Sequence, residues 1–341
     1  MAKELVLAVA GSGKTTKILE AVTEEKRSLV VTYTNENLRS LEESLHQKFG
    51  YIPTNITLIT YFSFLYSFCF RPFFSYGLRD NGIFWEIPGV FPPKSNPAHY
   101  ITESGYLYGN RVAKYVQEHG GIPKIIARLE KYFDDFLIDE IQDFAANDFN
   151  LITTISDADI DFLLVGDYFQ HTFDTSRDGQ IRTNLHKNGL GAYLEEFENK
   201  GFSIDTSSLS KTHRCSPSVC DFITDHIGIG IESHRDDNTE VTVVEDVDTA
   251  LLLFQDDDKV KLFFQDHGKY DCNSNNWGKC KGLNNYGDVC VVLNKKSSKL
   301  FRSGALGKLP ESSRNKLYVA CSRVNGSLYV LFEEHLSGLK N

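Results

Sequence analysis

The chain has 341 residues, 41% hydrophobic and 24% charged, values that exclude a disulfide-stapled miniprotein, a disordered tail and a membrane bundle. Lys and Arg number 36 against 46 Asp and Glu, a net charge of −10, so no global basic field advertises nucleic acid. A local groove can still act within a Debye length of ~10 Å.

Cys69, Cys215, Cys220, Cys272, Cys280, Cys290 and Cys321 form an odd set with no CxxC pair and read as reduced thiols rather than a disulfide frame or zinc site. The N-terminus opens on an apolar run, Glu4 to Ala10, without the n-region or cleavage site of a signal peptide, which points to a cytoplasmic protein. The most apolar stretch, Tyr61 to Phe70, is followed at once by Arg71 and Pro72, well short of the ~20 residues that span a bilayer. No membrane partner is expected.

In chain order, short β-branched runs recur between longer amphipathic stretches: Leu5 to Val9, Leu29 to Tyr33, Ile56 to Thr60, Phe136 to Ile138 and Phe162 to Val165. A second series follows at Val241 to Val244, Val260 to Phe264, Val289 to Leu293 and Leu328 to Phe332. This alternation predicts α/β architecture with parallel sheets in two domains. The Pro-, Gly- and aromatic-rich stretch from Arg71 to Ala98 interrupts the rhythm, and Tyr106 to Tyr132 reads as helix broken at Gly120-Gly121 and Pro123. We therefore expect a first domain over 1–205 with an insertion at 66–131, and a second over 206–341. Phe64, Leu65 and Phe68 stand at helical spacing and read as core.

The first strand runs into Ala10-Gly11-Ser12-Gly13-Lys14-Thr15-Thr16 and a helix from Lys17. Strand, glycine-rich loop and helix form a phosphate cradle: backbone N–H groups converge on phosphate oxygens, the helix N-terminus adds its dipole, Lys14 reaches the β/γ-phosphates and Thr15 can ligate Mg²⁺. The pattern implies a nucleoside triphosphate with Mg²⁺. Further on, Asp139-Glu140 ends the short apolar strand Phe136 to Ile138. Asp139 suits the metal's water shell, and Glu140 the attacking water.

From these residues onward the sequence resembles the superfamily 1 helicases of the UvrD/Rep/PcrA type, in a compact form. The Ala-x-Ala-Gly-Ser-Gly-Lys-Thr loop beginning at Ala8 is common in that family. Thr32-Tyr33-Thr34-Asn35 resembles its next motif, which touches single-stranded DNA; Thr60-Tyr61-Phe62-Ser63 resembles Thr-Phe-His-Ser; and Gly166-Asp167-Tyr168-Phe169-Gln170 resembles Gly-Asp-x-x-Gln. In the second half Thr212-His213-Arg214 resembles Asn-Tyr-Arg, Lys281-Gly282-Leu283-Asn284 resembles Lys-Gly-Leu-Glu, and Tyr318-Val319-Ala320-Cys321-Ser322-Arg323 resembles the closing motif Tyr-Val-Ala-x-Thr-Arg. The stretch between Arg214 and Lys281 is too short for the large second accessory subdomain.

The resemblance implies two RecA-like P-loop NTPase domains sharing an ATP site. Gln170 would sense the γ-phosphate, Arg214 and Arg323 would face it, and His213 would stack on the base beside nucleotide-binding Gly282. Single-stranded DNA would lie against Tyr33, Thr34, Asn35, Thr60, Tyr61, Phe62 and Phe173, while Thr175 stands where the family carries a tryptophan. The implied function is an ATP-dependent translocase or helicase on single-stranded DNA or a tailed duplex, with 3′-to-5′ polarity. A nuclease partner in phage defence or repair is implied for compact members. The alternatives are a DNA-stimulated NTPase sensor in a nuclease complex that does not unwind, and a non-catalytic nucleic-acid-binding module.

Overall fold

The apolar runs pair in parallel, as their alternation with helices predicts. In the computed structural model, which describes residues 1–76, 81–87, 89–175, 185–237, 239–282 and 286–340, the first sheet has six strands. These are β1 (Lys3–Ala8), β2 (Ser28–Thr32), β3 (Ile56–Thr60), β6 (Asp135–Ile138), β7 (Asp161–Gly166) and β8 (Ser203–Leu209), in the order β3-β2-β6-β7-β1-β8. Every residue of β2 and β6 is buried, the pattern of a sheet covered on both faces. Val30 pairs with Leu58 on one side and Leu137 on the other, which fixes the register.

Two helices hold the functional loops. The helix α1 (Lys14–Ala21) starts at the phosphate loop. After β2, α2 (Asn35–Phe49) is capped by Thr34, whose hydroxyl accepts from Asn37 N at 3.1 Å, and it stops at Gly50 in the left-handed region, φ 80°.

The aromatic stretch after β3 is helical from Tyr61 to Phe74, with a π-helical segment over Phe64–Phe70. Phe64 and Leu65 are core, as expected, but the wider turn brings Cys69 and Phe70 inward and leaves Phe68 half-buried beneath the Arg128 guanidinium, 4.6 Å from its ring centre. Two short strands, β4 (Ile83–Phe84) and β5 (Leu107–Tyr108), then pair in parallel. The expected broken helix is shorter than the sequence suggests, spanning Val112–Glu118 and Ile122–Tyr132. At the break Gly120 is left-handed and Gly121 lies so close to the preceding turn that a Cβ would sit 2.7 Å from Val116 O.

The second sheet contains β11 (Val241–Val243), β12 (Val260–Phe263), β13 (Ser274–Asn276), β14 (Val289–Leu293) and β15 (Leu328–Phe332), all parallel, in the order β11-β15-β14-β12-β13. Side chains alternate across it. Val289, Val291 and Leu293 join one core with Leu262, Trp277 and Phe332, while Cys290 and Val292 join another with Phe254, Phe263 and Tyr270. A small parallel pair, β9 (Lys211–Thr212) and β10 (Glu232–Ser233), stands apart.

The chain divides into two compact units. One comprises Met1–Val6, Thr15–Gly166 and Phe173–Asp205; the other comprises Leu7–Lys14, Asp167–Thr172 and Thr206–Asn341. All seven cysteines are unpaired, and burial pushes the thiols of Cys215 and Cys280 up to about 11. Among the described residues no helix is long and apolar enough to cross a membrane.

Candidate functional site

The phosphate loop is shaped by its glycines. Gly11 and Gly13 adopt φ of 73° and 98°, immediately before the N-terminus of α1, the backbone a phosphate-cradling loop requires. At Gly11 space matters as much as φ, because a Cβ would lie 2.8 Å from Thr212 Oγ1 and 2.9 Å from Arg214 Cβ. Ser12 turns its hydroxyl onto Val9 O at 2.8 Å, closing the loop on itself. Thr15 and Thr16 sit in the first turn of α1.

A continuous hydrogen-bonded path leaves this loop within the second unit. Ala10 N donates to Tyr318 Oη at 2.9 Å, and that hydroxyl donates to Asp167 Oδ2 at 3.0 Å. Gln170 Nε2 donates to the same carboxylate oxygen at 2.9 Å, and Gln170 Oε1 accepts from Arg323 Nη2 at 2.9 Å. Tyr318 is fully buried, and burial followed by the Asp167 charge raises its hydroxyl well above the usual tyrosine value, so it remains a donor. Lys281 Nζ adds a bond to Gln170 O at 3.1 Å, next to Gly282 at φ 85°. Leu283 and Asn284 of that motif lie outside the described residues.

Arg214 belongs to the same neighbourhood. Its Nη1 donates to Ser322 O at 3.0 Å, and its N–H is held by Thr212 Oγ1 at 3.1 Å. Burial, then the nearby Arg323 charge, lowers its guanidinium to about 10, so it stays cationic at neutral pH while paying for desolvation and repulsion. An anion placed between the two would relieve both effects. His213 donates its N–H to Gly11 O at 2.9 Å and lays its exposed ring on His234, 4.2 Å between centroids and 11° from parallel.

The acidic element belongs to the first unit. Asp139 N is held by Val31 O at 3.0 Å, continuing the sheet past β6. Glu140, 8% exposed, occupies the left-handed region at φ 58°, a conformation that costs a non-glycine residue about 1–3 kcal/mol. It is over-determined there. Glu140 N donates to Asp139 Oδ1 at 2.9 Å, Asp143 N donates to Glu140 O at 3.0 Å, and Gln142 Nε2 donates to Glu140 Oε2 at 2.5 Å. Gly166 leaves room for this turn, since a Cβ there would approach Ile141 Cγ2 to 2.8 Å. Buried carboxylates aimed by their neighbours suit general-base and metal-holding work. Asp139 and the Thr15 hydroxyl are oxygen donors of the kind that could hold Mg²⁺, and the left-handed backbone at Gly11 and Gly13 suits a phosphate.

A cavity of about 800 Å³ in the first unit gathers most of the residues expected to touch a single strand: Tyr33, Thr34, Asn35, Thr60, Tyr61 and Phe62. Phe173 packs beside Tyr33 with centroids 5.3 Å apart and the rings tilted by 38°. Thr34 and Thr60 both act as helix caps, Thr60 Oγ1 accepting from Ser63 N at 3.2 Å, so their hydroxyls shape the groove walls. Tyr61 lies deeper than its neighbours: its ring is edge-on to Phe144 at 4.6 Å, and its hydroxyl donates to Asp148 Oδ1 at 2.8 Å.

This geometry accompanies a likeness to solved structures. Two of arterivirus nonstructural protein 10, a helicase, one of them a complex with DNA, match at 17% identity and a TM-score of 0.51, covering 99% of this chain and 62% of theirs. The likeness establishes the fold. The chain thus has the mixed α/β, parallel-sheet fold of those helicases while spanning about three fifths of their length. No family model matches, and no curated protein matches.

Motif reading missed several residues of this candidate site. Tyr318 and Asp167 stood inside quoted motifs without a role, and only the hydrogen bonds show that they join the loop to Gln170. Gln142 follows Glu140 by two positions, a spacing that could have suggested the contact. Trp85 and Asn110 enter the groove from the stretch between β3 and β6, where no motif pointed.

Proposed function

We propose that the chain is an ATP-dependent translocase or helicase of the UvrD/Rep/PcrA type that acts on single-stranded DNA with 3′-to-5′ polarity. The observation that carries the reading is the path from Ala10 through Tyr318, Asp167 and Gln170 to Arg323, because it ties a phosphate-binding loop to a cationic side chain through groups that can report a bound γ-phosphate. Arg214 and Arg323 neutralise charge on the transferred phosphoryl, and Glu140, aimed by Gln142, takes the proton of the attacking water. Mg²⁺ held by Thr15 and Asp139 would supply charge neutralisation on the phosphate oxygens. The aromatic cavity supplies the strand contact, and the DNA complex of the arterivirus helicase lends this reading support.

Steady-state ATP hydrolysis with Mg²⁺, with and without single-stranded DNA and beside Lys14→Ala, tests the proposal. Turnover stimulated by DNA and lost in Lys14→Ala is the expected result, and no turnover in either condition overturns it. Duplexes with 3′ or 5′ tails then read polarity, and an intact duplex despite stimulated turnover would demote the chain to a DNA-sensing NTPase.

A further inference from the structure

The chemistry of the groove is unlike that of a phosphate track. Among the described residues that line it there is no lysine or arginine, while Glu36, Asp148 and Asp174 are present. Carboxylates repel a phosphodiester, so what enters is neutral or a hydrogen-bond donor. Flat rings and amide groups on the walls fit a nucleobase.

Trp85 is the most exposed ring of the set, at 66%, yet it is seated. Its centroid lies 4.5 Å from that of Phe62, and its ring edge covers Gly109 so closely that a Cβ there would meet Cε3 at 3.0 Å and Cζ3 at 3.1 Å. One side of the indole is thus fixed by the protein and the rest is open. The next residue is Asn110. Its Nδ2 and Oδ1 are both buried and have no hydrogen-bond partner among the described residues. Buried amide atoms left in this state cost free energy and call for a missing partner.

We propose that Trp85 and Asn110 form a base-reading subsite in which an unpaired adenine stacks on the indole and pairs with the Asn110 side chain. An asparagine amide offers one donor and one acceptor side by side, which match adenine N7 and N6–H₂. The groove carboxylates favour the amino group of adenine and disfavour the carbonyl-rich edge of thymine or uracil. The subsite rests on the single-strand reading above and deepens it: the strand is gripped through its bases here, and unevenly.

The chain offers its own probe. Of its two tryptophans, Trp277 is 1% exposed and donates its indole N–H to Leu262 O, so a base that stacks will quench Trp85. Titrating the full chain with oligo(dA), oligo(dC) and oligo(dT) of about 15 nucleotides, within the span of ordinary single-strand sites, should quench the exposed component and show at least about fivefold tighter binding of oligo(dA) than oligo(dT). Trp85→Ala should lose the quench and weaken oligo(dA) binding about tenfold. Asn110→Ala should lower oligo(dA) affinity to that of oligo(dT) and so erase the base preference, an outcome that a merely structural role for Asn110, which would weaken all the oligonucleotides alike, would not give. An RNA arm with oligo(A) separates base from sugar recognition. Binding of labelled oligonucleotide without quench, or with equal affinity for all three, overturns the subsite and leaves the single-strand reading standing. No binding by the parent chain overturns both.

Discussion

The hydrogen-bonded set around the phosphate loop and the aromatic groove are built on opposite plans. In the first, each group answers another: Ala10 N, Tyr318, Asp167, Gln170 and Arg323 form one unbroken path. In the second, rings stand half-open and Asn110 keeps two buried polar atoms without partners among the described residues. A closed network makes a change at one member felt by the rest, whereas an open groove loses one contact at a time. Mutations should therefore be non-additive in the one region and close to additive in the other.

The largest effects should fall on turnover. Lys14→Ala and Glu140→Gln should each abolish ATP hydrolysis, with Glu140→Gln retaining ATP binding, as read by nucleotide titration beside the kinetic assay. Arg323→Ala should lower turnover by ~10³ or more if its charge acts on the transferred phosphoryl, and a loss under tenfold removes it from that role.

Tyr318→Phe sharpens the contrast because it keeps the ring and deletes only the hydroxyl. Ala10 N loses its acceptor in this path and Asp167 loses a donor, so stability should fall by about 1–3 kcal/mol, measured as a shift in the urea midpoint. Combined with Arg323→Ala, its effect on turnover should be less than the sum of the two. Independent effects would mean that the path transmits nothing. Tyr33→Ala belongs to the open region. It should weaken single-strand affinity by about 1–3 kcal/mol and leave DNA-independent hydrolysis untouched; unchanged affinity would return Tyr33 to a packing role against Phe173.

The same contrast explains what the sequence made legible. Parallel strands such as Val289–Leu293 and Leu328–Phe332 are continuous β-branched and apolar runs buried on both faces, so composition alone marks them. The edge strand Ser203–Leu209 escaped notice because its polar, largely exposed residues carry no apolar face. Glu140 and Arg323 could be picked out from short motifs, but their aim could not: it depends on Gln142 and on Gln170, and no local pattern encodes a bond between residues 153 positions apart. The groove was legible on the side that follows β2 and β3. Its other wall comes from the stretch between β3 and β6, where Gly109 lets the ring edge of Trp85 approach closely, a relation visible only in three dimensions.

The smallest expected effect tests whether the acidic residues at the two ends of β6 differ in kind. At its end, Asp139 and Glu140 are buried and aimed; before its start, Asp134 is an exposed partner of Arg27, with Arg27 Nη2 donating to Oδ1 at 2.6 Å and Arg27 N to Oδ2 at 2.8 Å. The Arg27 guanidinium, and then its backbone N–H, hold the Asp134 carboxyl down from 3.8 to about 2. A carboxyl depressed on folding contributes stability that is fully present above its unfolded value of 3.8 and is lost as the pH falls through about 2. Asp134→Asn should therefore flatten the acid limb of the stability profile between those values, with only a slight loss near neutrality because water screens an exposed pair. ATP turnover should not change. Denaturant unfolding across that pH window, run beside the hydrolysis assay, checks both halves: a turnover loss comparable to that of Glu140→Gln would place Asp134 in the chemistry and erase the distinction between the two ends of the strand.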